Sequence, residues 1–554
     1  MLISDYDLQK LIARQKLLSS EKLNEVVASK REDQSLMDTL ADRELIPREK
    51  LYSEIAKELK LPFTRLLKSD INEDFLRILP EKVAHSQEAV VFKRDKDGIG
   101  LALCDPSNAE LSVMISKKTG QAVKIYLTTP EEIKKILPYY RESLQKTLDA
   151  ILKDKTIGFE APIAKIVDLL INYAYRDRAS DIHIEPEENK SLVRFRIDGM
   201  LHDALSLPKD LHQRVITRIK VLSKIQTDEH QKPQDGKIRY SLEDDLLDIR
   251  VSIIPVADGE KVALRLLTSK AREYDLSSLG LSDADLKKIQ NSLGKPYGMI
   301  LSTGPTGSGK TTSIYALLKI LNDRDRNVTT IEDPVEYRIK GVNQIQVNNK
   351  ANLTFANGLA SILRQDPDII FVGEIRDNQT AAIAVNAALT GHLVLSTLHT
   401  SDAVGALPRL VDMGVEELLL SSTANIIIAQ RLLRKICDQC KTPVLISSED
   451  LAKNISKNLI KKIFGTANKV KLHKGTGCAT CHETGYLGRL GIFEVLPVTK
   501  KLRQLLNKGT DADQILDLAL KEGMTTMFED GLVKVRMGLT TTEEVLRVTK
   551  SEQI

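Results

Sequence analysis

The chain has 554 residues, too many for one hydrophobic core, and at about 150 residues per domain three or four domains are expected. Hydrophobic residues at 42% and charged residues at 28% make an ordinary globular mix, and 80 basic against 76 acidic residues leave +4, which gives no global reason to expect nucleic acid. No apolar run approaches the ~20 residues that span a bilayer, and Met1-Leu2-Ile3-Ser4-Asp5-Tyr6-Asp7 lacks a signal peptide's charged start and apolar core, so a cytoplasmic product is expected.

In chain order, an N-terminal domain over 1–145 opens with helix-like segments that contain an internal echo: Leu11 to Leu23 aligns with Thr39 to Leu51, each placing apolar pairs before E-K-L. A small α/β unit follows, with apolar runs at Ala89-Val90-Val91-Phe92 and Gly100-Leu101-Ala102-Leu103 and a helix near Pro130. Cys104, alone in such a run, reads as a buried hydrophobe. A Lys-rich connection, helical by the spacing of Leu144, Leu148, Ile151 and Leu152, leads into a linker assigned to 146–159, with apolar anchors sparse from Lys153 to Phe159.

Residues 160–270 read as a second α/β domain, a helix from Ala161 to Arg176 and then strands that carry Arg194, Arg196, Arg250 and Arg265. Arg194 and Arg196 share a face because strand side chains repeat every two residues. Any one of these arginines could be solvated strand charge, but the set, next to a phosphate-binding domain, is expected to face phosphate. A connector over 271–297 holds a helix capped at Ser282 and ended at Gly294.

The domain at 298–554 opens with an apolar strand and then Gly304, Pro305, Thr306, Gly307, Ser308, Gly309, Lys310, Thr311 and Thr312, which fit G-x-x-x-x-G-K-[ST]. Glycines let the loop curl its N–H groups around an anion, the helix that follows adds its positive end, Lys310 reaches the β- and γ-phosphates, and the Thr311 hydroxyl suits Mg²⁺. Three further strands end in polar residues: Val328 to Glu332 delivers Asp333 and Glu336, Asp368 to Gly373 delivers Glu374, and His392 to Thr397 delivers His399. Ligands bind at such C-terminal strand ends in parallel sheets. Hydrolysis of a γ-phosphate needs Mg²⁺, positive charge and a water-orienting group. Glu374 is the candidate for Mg²⁺ and Glu336 for the water, with Glu332 and Asp333 as alternatives, while His392 and His399 are candidates for γ-phosphate contact. Two C-x-x-C pairs, Cys437, Cys440, Cys478 and Cys481, suit a closed, structural Zn²⁺ site that clamps an insertion over 437–481, expected to be helical from Ser447 to Phe464. His482 is a possible substitute ligand.

Over about 160–550 the chain resembles the hexameric ATPases of type IV pilus assembly and type II secretion. The resemblance rests on G-P-T-G-S-G-K-T-T (304–312), T-I-E-D-P-V-E-Y (330–337), R-Q-D-P-D-I-I-F-V-G-E-I-R-D (364–377), G-H-L-V-L-S-T-L-H-T (391–400), A-S-D-I-H-I-E-P (179–186), R-F-R-I-D-G (194–199), P-Q-D-G (233–236), the tetracysteine and G-Y-L-G-R-L-G-I-F-E (485–494). It implies a multidomain α/β fold: a RecA-like P-loop ATPase domain, a smaller PAS-like domain before it, an N-terminal helical plus α/β region, and a zinc-binding insertion. It further implies a homohexamer that uses ATP and Mg²⁺, peripheral at the inner membrane, acting on a platform protein and cytoplasmic pilus-machine components. Glu336 would be the catalytic acid, Glu374 an atypical Walker B acid, His399 part of a His-box, and Arg196, Arg250 and Arg265 charge-stabilising contacts. Relatives that bind cyclic di-GMP use a repeated R-L-G at the N-terminus; the echo at 11–51 lacks it, which weighs against that ligand here. Pilus assembly is favoured over type II secretion on overall likeness, and both over a nucleic-acid translocase or a non-hydrolysing scaffold.

Overall fold

The computed structural model describes residues 3–549 apart from 31–33, 44, 67–71, 97, 141–143, 154–160, 243–245, 268–275, 277 and 510. They divide into two compact units, one of 1–147 with 438–440 and 476–485, the other of 148–437, 441–475 and 486–554. Among them, no helix is long and apolar enough to cross a membrane.

In the first unit the echo becomes two successive helix pairs, Asp5–Arg14 with Ser20–Ala28 and Leu36–Asp42 with Arg48–Glu58. The equivalent residues Ile12 and Leu40, and Leu23 and Leu51, are all buried. Ser4 and Ser35 cap the first helix of each pair by accepting the N–H of Asp7 and Asp38. Three strands follow, β1 (Ala89–Asp95), β2 (Gly98–Leu103) and β3 (Val123–Leu127), with β1 antiparallel and β3 parallel to β2. Cys104 is buried, and that burial pushes its thiol pKa up, as a structural cysteine requires. The helix Leu144–Lys153 runs into the expected linker, whose residues 154–160 lie outside those described.

The second unit begins with the helix Ala161–Arg176 and six strands, β4 (Asp181–Pro186), β5 (Lys190–Ile197), β6 (Met200–Pro208), β7 (Gln234–Ser241), β8 (Leu246–Val256) and β9 (Gly259–Leu267). They form one antiparallel sheet in the order β6-β5-β4-β9-β8-β7. Val193, Phe195, Val251 and Leu264 alternate into the core, so the intervening arginines fall on the opposite face. After the helix Asp283–Leu293, capped by Ser282, a seven-stranded sheet runs β12-β11-β13-β14-β10-β15-β18. Its strands are β10 (Gly298–Thr303), β11 (Val328–Glu332), β12 (Asn343–Gln346), β13 (Ile369–Val372), β14 (Leu393–Leu398), β15 (Ala424–Ile436) and the antiparallel edge strand β18 (Tyr486–Pro497). Every residue of β10, β11, β13 and β14 is buried, as in a parallel sheet covered on both faces.

Within the insertion, the stretch expected to be helical holds two short helices, and two strands enclose it. The short helices Ser448–Leu451 and Lys457–Phe464 lie between the antiparallel strands β16 (Lys441–Ser447) and β17 (Lys469–Gly475). Lysines alternate with apolar residues along β17, and that period of two is the strand signal; Val470 and Leu472 point inward.

Glu544 ties the C-terminal helix Thr542–Thr549 to β15. Its fully buried carboxylate accepts Arg434 Nε and Nη2 at 3.0 and 2.8 Å and Arg547 Nε and Nη2 at 2.8 and 2.6 Å. Burial raises its pKa, but the hydrogen bonds from Arg547 and Arg434 outweigh that and bring it down from 4.5 to about 2. A folded pKa below the unfolded one stabilises above pH 4.5 and loses that stability as pH falls towards 2. Glu544→Gln should therefore cost roughly 3 kcal/mol at pH 7, with the gap from wild type narrowing below pH 4.5; urea titrations at both ends of that range measure it.

Candidate functional site

The loop between β10 and the helix Lys310–Leu321 is shaped by glycines that no other residue replaces. Gly304, Gly307 and Gly309 have φ of +143°, +80° and +90°. A Cβ on Gly304 would lie 2.5 Å from Gln430 O and one on Gly309 3.1 Å from Gln430 Nε2. Gln430, on β15, donates to Ser308 O at 2.8 Å and pins the loop from below. Gly309 has no side chain to cap the helix, so the first-turn N–H groups are free for an anion. Ser308 Oγ is buried without a hydrogen-bond partner, packed against Gly304. Pro305, Thr306 and Gly307 are exposed at the rim, and Thr311 and Thr312 are half-buried in the first helical turn. Lys310 folds back on the loop, donating to Gly304 O at 2.7 Å and Pro305 O at 3.1 Å. Burial lowers its pKa, while the charge of Glu374 acts the other way. This donor set fits the polyphosphate of ATP, with Thr311 and Glu374 available to Mg²⁺.

The acids divide by burial. Glu332, 2% exposed, accepts Thr330 Oγ1 at 2.6 Å, Gln344 Nε2 at 3.2 Å and the Tyr315 hydroxyl, and burial raises its pKa. Sequestered in this way, it has no access to an attacking water. Asp333 is exposed. Glu336 is half-buried on the loop after β11 and pairs with Arg250 Nη2 at 2.8 Å. Glu374 follows β13 and pairs with Arg376 Nε at 2.8 Å and His399 Nε2 at 3.2 Å. His399 is held at the end of β14 by its neighbour Thr400, whose N–H donates to Thr303 Oγ1 at 3.0 Å. His392 precedes β14, and its Nδ1 meets Ala387 O at 2.9 Å. Because β14 is parallel to β10 with Gly298 beside Leu393 and Thr303 beside Leu398, His392 sits at the end of the sheet away from the loop, ~20 Å off. It cannot touch a phosphate bound there.

Three of the arginines lie with Asp181 in one row across four neighbouring strands: Arg196 is opposite Asp181, Asp181 opposite Arg265, and Arg265 opposite Arg250, while Arg194 pairs with Glu185 Oε2 at 2.5 Å. Arg265 Nε donates to Asp181 Oδ1 at 3.0 Å, and Arg196 Nε lies 3.7 Å from Oδ2. Arg250 reaches the loop after β11, donating also to Val335 O at 3.0 Å. Sequence reading missed Gln430, Tyr315 and Gln344; the available signal for Tyr315 was its spacing of four from Thr311, the same helix face.

The ligand atoms of Cys437, Cys440, Cys478 and Cys481 lie within 4.8 Å of one another. Sγ–Sγ separations are 3.9 Å for Cys440–Cys481 and 3.7 Å for Cys478–Cys481. A tetrahedron with Zn–S of about 2.3 Å has edges of about 3.8 Å, so the spacing fits. The N–H groups of Cys478 and Gly485 point at Cys481 Sγ at 3.2 and 3.3 Å. His482 does not belong to the cluster.

Residues 158–547 match the family Type II/IV secretion system protein, and residues 59–145 match the MshEN domain. MshEN is a cyclic di-GMP-binding domain, which corrects the expectation against that ligand: the matched residues begin beyond the echo at 11–51 on which the expectation rested. The chain is 35% identical over 569 aligned residues to the type IV pilus assembly ATPase PilB of Myxococcus xanthus, covering 99% of both chains. It is 46% identical over 395 residues to the type II secretion system protein E of Pseudomonas aeruginosa, covering 71% of this chain and 76% of that one. The X-ray structure of the Legionella pneumophila ATPase DotB shares its fold at 22% identity, with a TM-score of 0.51, over 69% of this chain and 95% of that one. The chain therefore belongs to the type II/IV secretion system protein family and is an ATP-hydrolysing member of it.

Proposed function

We propose that this chain is the motor of a type IV pilus assembly machine, a homohexamer peripheral at the cytoplasmic face of the inner membrane that drives pilin polymerisation through a platform protein and cytoplasmic machine components. The observation that carries the choice is the likeness to the Myxococcus pilus assembly ATPase, which runs over 99% of both chains and so includes the N-terminal region. The higher identity to type II secretion proteins, 46% but over 71% of the chain, favours pseudopilus assembly as the second reading. Replacing Lys310 by Ala in the native host separates them: loss of surface fibres with secretion intact supports pilus assembly, trapped periplasmic proteins with fibres retained support type II secretion, and no change in either overturns both. The MshEN-matching residues 59–145 make cyclic di-GMP the regulatory ligand of this reading.

In the hydrolytic step, Lys310 and the first-turn N–H groups hold the β- and γ-phosphates and Thr311 and Glu374 hold the metal. Mg²⁺ supplies neutralising charge on the phosphate oxygens when bound. Glu336 takes the proton of the attacking water, and His399 keeps Glu374 oriented. Arg250, already in contact with the Glu336 loop, stands where charge develops, and Arg265 and Arg196 lie further along its row, where they share Asp181.

The four cysteines bind one structural Zn²⁺. One zinc per chain is expected by elemental analysis, and Cys478→Ser should abolish that stoichiometry and lower the thermal midpoint; a full complement of zinc in the variant would remove Cys478 from the site.

A further inference from the structure

The phosphate-loop helix carries a tyrosine for which the hydrolytic reading has no role. Tyr315 stands four residues after Thr311, about one turn along the same face. Its ring is fully buried and meets Tyr337 and Phe371 edge-on, at centroid separations of 4.6 and 6.3 Å. A phenol has one donor and room for two acceptor contacts, and here all are engaged. The O–H donates to Glu332 Oε2, and the oxygen accepts the Glu336 backbone N–H at 3.3 Å and Gln344 Nε2 at 3.3 Å. Gln344 also donates to Tyr337 O at 3.1 Å and accepts the Ile339 N–H at 2.8 Å. The loop that carries Glu336 is thus fastened from the core side at 336, 337 and 339, and from the other sheet by Arg250 at Val335 O and at the Glu336 carboxylate.

We propose that Tyr315 is a positioning residue for hydrolysis: its hydroxyl fixes the main chain of Glu336 against the helix that binds the phosphates. The inference rests on the reading of Glu336 as the water-activating acid. One side chain, rooted on the phosphate-binding helix, then sets the distance between the acid and the bound γ-phosphate. A displacement of about 1 Å at that point is enough to cost on the order of 10²-fold in rate. A tyrosine present for packing alone has no need of its hydroxyl, since phenylalanine fills the same space.

The test is Tyr315→Phe in the full chain, alone and combined with Glu336→Gln, with nucleotide affinity and phosphate release measured on each. The expected result is a kcat lowered ~10–100-fold with the dissociation constant for ATP within about twofold of wild type, and no additional loss in the double variant relative to Glu336→Gln. Equal losses on both backgrounds, or a weakened ATP affinity with kcat unchanged, would mean a structural role only. Wild-type turnover of Tyr315→Phe while Glu336→Gln is inactive overturns the positioning role alone. Wild-type turnover of Glu336→Gln overturns the assignment of the acid, and the positioning of it falls too. If Tyr315→Phe does not fold because Glu332 loses a donor, Tyr315→Phe with Glu332→Met removes the buried carboxylate with its partner, and the same kcat comparison decides.

Discussion

Lys310→Ala is expected to lower kcat/KM for ATP by ~10²–10³-fold or more, with a thermal midpoint close to that of wild type. Lys310 is the one cation rooted in the phosphate loop itself, and the loss of a charge-assisted contact made to developing charge costs about 2.7–4 kcal/mol in comparable sites. Its present partners are two backbone carbonyls, of buried Gly304 and exposed Pro305, and the amine makes no ion pair with either, so folding loses little. Glycine geometry and the Gln430 anchor keep the loop's shape without it. Coupled-enzyme assays over a range of ATP concentrations measure the effect, and an unchanged kcat/KM would take Lys310 out of the phosphate site.

Glu336→Gln is expected to lower kcat by ~10²–10⁴-fold while ATP still binds, the range for loss of a positioned general base. The amide keeps the size of the side chain and can still accept from Arg250, whose Nη2 also holds Val335 O, so the loop should stay in place. What disappears is the capacity to take a proton. Glu332→Gln offers a contrast at the end of the preceding strand, because Glu332 is buried and enclosed by Thr330, Tyr315 and Gln344.

The parts of the site legible in the sequence are those whose chemistry needs contiguous residues. The phosphate loop requires its glycines and lysine at fixed spacing, and Glu374 follows a short apolar run that only a buried parallel strand explains. The Cys437 to Cys481 cluster was readable from its two C-x-x-C pairs, while the strands inside the insertion were overlooked although lysines alternate with apolar residues along β17. Pairings across long sequence separations left no local mark. Arg250 and Val335 are 85 positions apart, and nothing in either segment indicates that the arginine sheet would set one member on the acid and two on Asp181. His392 and His399 looked equivalent as residues near one strand; only the direction of β14 in the sheet separates them. At the N-terminus the helical echo was visible, but reading ligand capacity from the absence of R-L-G there misjudged a region whose domain match lies at 59–145.

The measurement that bears most directly on this account follows bound ATP and released phosphate together, on one sample of the full-length Glu336→Gln protein beside wild type. The account predicts that the variant retains ATP at the loop and releases phosphate at least ~10²-fold more slowly. Phosphate release at the wild-type rate from the variant would contradict it, and would move the water-activating role away from the loop that Arg250 and Tyr315 hold.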